Sequence, residues 1–419
     1  MAGESEFWRS DTLAWVSYCC NQDHVQEAIG AEIFMRKQRV LYIGAPYRLS
    51  NPSRADMMDV FEQSGRNSGN LLIGHSLRSQ LNADVTSISP EYPPRDGGYD
   101  YIAVAAANFL FSGFDFGAFA DLIEKIDLPC VMVGLGAQAP KSGHMPDIAP
   151  GTKRFVQAIA DRTYRIGVRG AYTAEVLEKL GIRNVQITGC PSFYLYSPET
   201  IAERHAGKRE TGRVSFNGSR NVMSHSGDPA RMQRLEAAVY QACRETDSQF
   251  ILQSELEELA ILTSSDPAQD LQNAARIRES LALELSDEEV RDLVRSKFKI
   301  YFDIEHWAEG LSDVDFSLGT RFHGNLIALL SGVAAHVICH DSRTQELCEF
   351  SGIPHSTLGE VDLDTDILGL RKQSDVGPFL ARQSANYEAY RTFLEKNGVS
   401  HTLQPTRVGS EAEHAIMPA

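Results

Sequence analysis

The sequence predicts an α/β protein made of two Rossmann-like domains that face each other across a cleft. Three observations carry that prediction. Short apolar runs alternate with helix-patterned segments along most of the chain, the pattern of parallel sheets joined by crossover helices. The alternation comes in two halves, separated by a charged stretch from Pro198 to Arg213 without apolar periodicity. At 419 residues the chain also exceeds what one compact core ordinarily serves.

These features divide the chain into an N-terminal extension (1–37), a first domain (38–200), a linker (201–212), a second domain (213–360) and C-terminal helices with a tail (361–419). In the first domain, strands are expected at Arg39–Ile43, Asp84–Ile88, Tyr101–Ala106, Cys130–Gly134, Tyr164–Val168 and Val185–Thr188. In the second, they are expected at Arg213–Phe216, Phe250–Gln253, Lys299–Phe302, Asp315–Leu318 and Ala335–Cys339. Glu255–Arg295 is helical and heavily charged and reads as an insertion or lid. Asp23–Arg36, Asp364–Arg371 and Asn386–Lys396 also read as helices, the last two crossing back over the first domain.

A formal net charge of −16 argues against a nucleic-acid partner, because phosphate backbones are held by basic surfaces. The seven cysteines are odd in number and scattered, with no zinc-finger spacing, and read as buried thiols in a reducing compartment. The N-terminus is acidic where a signal peptide is basic, and no window approaches the roughly 20 apolar residues of a membrane span. The expectation is a cytoplasmic protein without membrane insertion.

The stretch Ser317–Gly332, SLGTRFHGNLIALLSG, reads as strand, tight loop and helix. Its loop lies at the carboxyl end of a strand, where open α/β sheets bind ligands. Arg321, His323 and Gly324 supply a fixed cation, a titratable imidazole and open helix amides, which together suit phosphate or carboxylate. Taken singly, Arg321 reads equally as a salt bridge to the neighbouring domain and His323 as a cap or a packing residue. Their grouping before a helix start favours a site.

Further strand-end positions are Asn70 in the Ser64–Asn70 loop, Gly136 and Gln138 in GLGAQ, Arg169, and Asn217 with Arg220 in the first loop of the second domain. Arg343 follows the strand after the central turn. The aromatic run NFLFSGFDF at 108–116 is either a sugar platform or core.

GTRFHGNLIALLSG followed by HDSRTQELCEFSGIP, with VMVGLGAQ and GVRGAYTAEVLEKLGIRNVQITGCPSFYL upstream, resembles the polysaccharide pyruvyl transferase family. The resemblance runs from about Arg39 to about Ile353. It implies a GT-B-like architecture and transfer of pyruvate from phosphoenolpyruvate to two sugar hydroxyls of an exopolysaccharide or cell-surface glycan precursor, forming a cyclic ketal and releasing phosphate. It makes His323 and Arg321 catalytic, with His323 the general acid whose protonated form a bound anion favours. Arg220, Asn217, Gly324, Asn325 and Arg343 then hold the donor, and Asn70, Gly136, Gln138 and Arg169 face the acceptor or the cleft. The resemblance implies no cofactor or metal beyond phosphoenolpyruvate as donor substrate. The acceptor is a sugar nucleotide, a lipid-linked oligosaccharide or another glycan, and a homo-oligomer is compatible with it. Gly170 and Cys190 stand where many relatives carry Asp. Alternatives on the same architecture are a nucleotide-sugar-dependent glycosyltransferase and a non-catalytic sugar-binding protein.

Overall fold

A computed structural model describes residues 37–45, 57–139, 144–208, 211–220, 223, 226–363 and 366–406. The helix expected at Asp23–Arg36 and most of the expected tail lie outside the described residues.

In the first domain, β1 (Gln38–Ile43), β2 (Ala83–Ser87), β3 (Tyr101–Ala105) and β4 (Cys130–Val133) form a parallel sheet in the order β2-β1-β3-β4. A parallel bridge between Leu135 and Val168 carries it on to β5 (Ile166–Val168) and β6 (Val185–Ile187). Every residue of YIAVA and CVMV is buried, as both faces of a helix-covered parallel sheet must be. The second domain holds β7 (Val214–Asn217), β8 (Ser248–Leu252), β9 (Phe298–Ile300), β10 (Phe316–Gly319), β11 (Ala334–Cys339) and β12 (His355–Thr357). These six pair in the parallel order β12-β11-β10-β7-β8-β9. Both sheets are doubly wound. The order reverses between β1 and β3 in one and between β7 and β10 in the other, and ligand crevices open at the carboxyl ends of such reversals.

The helices of the first half are α1 (Met57–Gln63), α2 (Gly69–Gln80), α3 (Gly117–Ile126), α4 (Pro150–Ala160), α5 (Ala171–Lys179) and α6 (Pro198–Ala206). The last of these occupies part of the expected linker. Ser197 caps it through the Thr200 amide, Pro198 opens its first turn, and Ile201 is fully buried, so capping and one apolar anchor outweigh the polar composition.

The second half begins with α7 (Pro229–Glu245), followed by α8 (Leu256–Thr263), α9 (Pro267–Leu281) and α10 (Asp287–Lys297). The last three make up the segment read as a lid, and they are instead the crossover from β8 to β9. Their inner faces bury Leu259, Ile261, Ile277, Val290 and Val294, while the charges that suggested a lid lie mostly on the outer faces.

Beyond α11 (Ile304–Glu309), α12 (Phe322–Leu330) and α13 (Ser342–Ser351), a 3₁₀ turn at Ile367–Gln373 stands where a helix was expected. The final helix, α14 (Gly377–Lys396), begins nine residues earlier than its periodicity suggested and crosses back to the first domain. There Tyr390 stacks on Tyr194 with centroids 4.3 Å apart and donates to the Gln80 side chain at 2.7 Å.

Three contacts clamp the lobes together beside the cleft. The Ser68 amide donates to the Gln253 carbonyl at 2.9 Å, and the Ala139 amide to the Ser342 hydroxyl at 3.2 Å. The Glu346 carboxyl meets the Thr173 amide at 3.0 Å and its hydroxyl at 2.7 Å, which caps α5 from the opposite lobe. Burial pushes the Glu346 carboxyl up to about 7, outweighing those bonds and the Arg169 charge. A carboxyl raised on folding stabilises most below its ordinary value of about 4.3, and that contribution is lost as pH rises through about 7. A Glu346→Gln variant mimics the protonated form, donating to the Thr173 hydroxyl and accepting from its amide. Its denaturant midpoint should therefore fall less between pH 5 and pH 8 than that of the wild type, and equal declines would show that Glu346 does not titrate in this interval.

Candidate functional site

The central turn is two residues long, with Thr320 and Arg321 joining β10 to α12. Gly319 precedes it at φ +156°, and a Cβ there would stand 1.8 Å from the Asn217 carbonyl oxygen, so only glycine fits. Asn217 and Asn325 hold the turn from both sides. Asn217 Nδ2 donates to Asn325 Oδ1 at 3.1 Å, and Asn325 Nδ2 donates to the Arg321 carbonyl at 3.0 Å. Asn217 Oδ1 accepts the Arg321 amide at 2.9 Å. Both asparagines are buried and spend their bonds on the backbone, each other and the Ser317 hydroxyl, which donates to Asn325 Oδ1 at 2.8 Å, so they build the turn. Gly324 packs against Asn217 and Gln253, where a Cβ would meet Gln253 Nε2 at 2.7 Å.

The Arg321 guanidinium donates to the Gly218 carbonyl at 2.7 Å, pairs with Glu255 at 2.5 Å and contacts the Ser254 hydroxyl. Burial would raise the Glu255 carboxyl, but the Arg321 charge and the Gln253 and Ser254 amides outweigh it and leave Glu255 below its ordinary range. Arg321 thus reaches the cleft as half of a neutral pair.

His323 stands in the first turn of α12, half-buried, with Nε2 3.6 Å from the Cys190 thiol of the first domain. Its pKa lies well below the ordinary histidine value, first because of burial and then because of the Arg169 and Arg343 charges. The sequence placed a protonated imidazole beside an anion, but the structure surrounds a neutral imidazole with cations. The pKa being depressed on folding, the stability it contributes is present above about pH 6.5 and is lost as pH falls.

Arg169 is 2 % exposed at the end of β5. Its Nε donates to the Gly134 carbonyl at 2.9 Å, and its Nη2 is buried with no hydrogen-bond partner among the described residues. Gly136 makes room for this side chain, since a Cβ there would lie 2.8 Å from Arg169 Cδ. Burial lowers the Arg169 pKa and the Arg343 charge adds to this, against the Cys190, Glu346 and Asp341 groups, which raise it. Arg343, on the first turn of α13, pairs with Asp341 at 3.2 Å. The Arg169 charge from one lobe therefore acts on His323 and Arg343 of the other, with one guanidinium nitrogen lacking a partner among the described residues. An unpaired buried donor on a cation is costly, and an anion is the group that relieves it.

A cavity of about 500 Å³ opens beside this cluster between the carboxyl ends of β1 and β3 and the central turn. Its polar lining includes Arg66, Asn67, Asn70, Gln138, Ser254, Arg321 and Arg343, but not Arg169. Asn70 also donates to the Ser64 carbonyl at 3.2 Å, and Gln138 is bonded to Asn108. His323 is not part of this lining and faces Cys190 instead.

The structure does not bring Arg220 to the cleft. Glu257 at 2.6 Å and Glu258 at 2.7 Å, both on α8, hold its guanidinium. Sequence reasoning missed Cys190, Glu255 and Gln253 as neighbours of the turn. Cys190 carried a signal, since it follows a strand directly and departs from the pattern of relatives. The described residues contain no group of three or more His, Cys, Asp or Glu side chains arranged to hold a metal ion.

Two doubly wound domains that meet at a cleft define an architecture of the GT-B kind. The chain belongs to the polysaccharide pyruvyl transferase family, whose profile matches residues 67–342. No curated protein matches the chain. Among solved structures, MnaA of S. aureus with UDP is 11% identical over 88% of this chain and 100% of its own, with a TM-score of 0.42. MurG of Acinetobacter baumannii is 10% identical over 86% and 99%, with a TM-score of 0.34.

A carboxylate 3.6 Å from His323 Nε2 in place of the Cys190 thiol should favour the imidazolium. In Cys190→Asp, the His323 imidazole resonances should titrate about one unit or more higher than in the wild type. Cys190→Ser, which adds no charge, should move far less. Identical NMR titrations in all three proteins would rule out the contact.

Proposed function

We propose that this protein transfers pyruvate from phosphoenolpyruvate to two hydroxyls of a sugar in a glycan precursor, forming a cyclic ketal and releasing phosphate. The observation that carries the reading is the buried Arg169 Nη2 at the domain boundary, without a hydrogen-bond partner among the described residues and within electrostatic reach of Arg343 and His323. Family membership supports it independently.

The donor's carboxylate and phosphate would cancel the guanidinium charges that add to burial in keeping His323 neutral, so binding would favour a proton on the imidazole. The protonated His323 then delivers that proton to the methylene carbon of the enol phosphate. A sugar hydroxyl attacks the resulting oxocarbenium carbon as its proton passes to the His323 imidazole, the C–O bond to phosphate breaks, and a second hydroxyl attacks the re-formed oxocarbenium carbon to close the ketal, its proton leaving with the phosphate. Arg169 and Arg343 bind the anion and stabilise the departing phosphate. Arg321, already paired with Glu255, orients the donor rather than adding net charge. We place the reaction in the cytoplasm, acting on the precursor before export, and without a resident metal.

A nucleotide-sugar glycosyltransferase would need a diphosphate seat in the second domain. The cavity of about 420 Å³ at the ends of β11 and β12 is lined by Asp228 and Asp341, and its Arg231 donates to the Leu358 carbonyl at 2.8 Å, an arrangement ill suited to a polyanion.

His323→Ala should lower kcat by about 100-fold or more, the low end of general acid catalysis, with less effect on donor affinity. Full turnover in that variant would remove the acid role. Phosphoenolpyruvate at 100 times its Kd should raise stability by about 2.7 kcal/mol in a thermal-shift assay, and UDP should not; the reverse ranking would favour the glycosyltransferase. Donor affinity should rise as pH falls from 8 to 6 more steeply in the wild type than in His323→Asn, the difference being the proton taken up by His323. Turnover should persist in EDTA.

A further inference from the structure

The segment after β3 gives the cleft an unusual wall. Phe109, Phe111, Phe114, Phe116 and Phe119 all line the cavity that Arg321 and Arg343 also line. None of the five is fully buried, and Phe114 is 44% exposed. Their rings support one another: Phe109 and Phe116 lie 4.5 Å apart, and Phe111 meets Phe114 edge-on at 5.1 Å. Beneath them Phe116 stacks at 5.2 Å on Phe155, which is wholly buried. The wall is therefore anchored to the core while its outer faces remain in water. Single exposed apolar side chains are ordinary, but five partly exposed rings on one cavity wall form a contiguous apolar surface of the sort that marks a binding site.

Ile43, Ile73, Ala105 and Ala107 extend this apolar lining, whereas the side-chain amides and the arginines form the polar remainder. Sugar hydroxyls find partners only on that polar side, because a phenylalanine ring offers no hydrogen-bonding group. What the rings accept is an apolar group, and each aromatic ring it covers repays about 25 cal/mol for every Å² removed from water. Since one cavity holds both surfaces, one ligand can span them.

We infer that the acceptor is a glycoside bearing an apolar aglycone, aromatic or isoprenoid, which seats on the Phe109–Phe119 wall while its sugar faces the amides and arginines. The inference rests on the proposed pyruvyl transfer only in naming that sugar the acceptor; the apolar seat itself is independent of it. A sugar nucleotide fits the wall poorly, because its diphosphate and base edges gain no hydrogen bond from phenylalanine rings. Arg66 pairs with Glu62 at 2.7 Å, Arg321 with Glu255 and Arg343 with Asp341.

Calorimetry without phosphoenolpyruvate tests the seat directly, using methyl, p-nitrophenyl and geranyl β-D-glucopyranosides as probes. The p-nitrophenyl or geranyl glycoside should bind at least tenfold more tightly than the methyl glycoside, and whichever is tighter identifies the aglycone as aromatic or isoprenoid. The Phe111→Ala, Phe114→Ala double variant should bind all three at the methyl level while keeping the wild-type melting temperature. Phe114→Ala alone, at the most exposed ring, should show part of the loss if the double variant proves unstable. Equal affinities in the wild type, or an aglycone preference that survives the substitutions, would overturn the inference. An aglycone preference without phosphate release from phosphoenolpyruvate would overturn the pyruvyl reading and leave this one standing. Equal turnover of methyl and aglycone-bearing glycosides would do the opposite.

Discussion

A guanidinium buried with one nitrogen unsatisfied is expensive, and the architecture around the cleft is arranged to sustain that expense at Arg169. The side chain cannot swing to solvent. Its Nε is fixed on the Gly134 carbonyl, and its stem lies over Gly136, which has no Cβ to displace it. The opposing lobe brings Arg343 and a neutral His323 close to it, together with the Glu346 and Asp341 carboxyls, whose charges do not outweigh burial. The chemistry of the site is thus a property of the lobes held together, not of either alone.

The contacts that hold them together are mostly backbone and hydroxyl bonds at the cleft margin, reinforced by α14 crossing from the second domain to the first. Tyr390 and Tyr194 are both fully buried aromatic groups at that crossing, so a large part of the apposition rests on apolar burial remote from the cleft. Polar contacts at the margin then fix orientation. The Asn217–Asn325 pair does the same within the second domain, locking the strand end to the helix start. The turn carrying Arg321 and His323 is accordingly rigid before any ligand arrives, as preorganised electrostatic stabilisation requires.

Much of this was legible in the sequence. The period-2 and period-3.6 patterns located nearly every strand and most helices, and the strand–turn–helix at Ser317–Gly332 was read correctly because its glycines and apolar runs are strong local signals. What failed was pairing, which local patterns do not encode. Arg220, Arg321 and Arg343 are equally plausible anion ligands in one dimension. Only the fold reveals that Glu257 and Glu258 claim the first, Glu255 the second and Asp341 the third. Conversely, Arg169 read only as one of several strand-end positions facing the cleft. Its significance lies in a missing partner, which no sequence window can show. The acidic 255–295 segment misled for the same reason, since its carboxylates serve both as an outer surface and as the inner ligands of two arginines.

That distribution of charge bears on how an acidic protein captures an anion. A net charge of −16 repels an anionic donor at a distance, so long-range steering cannot be the source of its binding. At physiological ionic strength, however, exposed charges are screened beyond about 8 Å. The field inside the cleft is set by the groups lining it, where water is displaced and screening is weak. Pairing Arg220 and Arg321 with glutamates neutralises most of the local cations, and the one that stays unsatisfied stands where the lobes meet. Burial and the nearby guanidinium charges keep His323 neutral. Under the proposed reaction an imidazole so placed would gain its proton in answer to the ligand, which would tie acid strength to occupancy of the site.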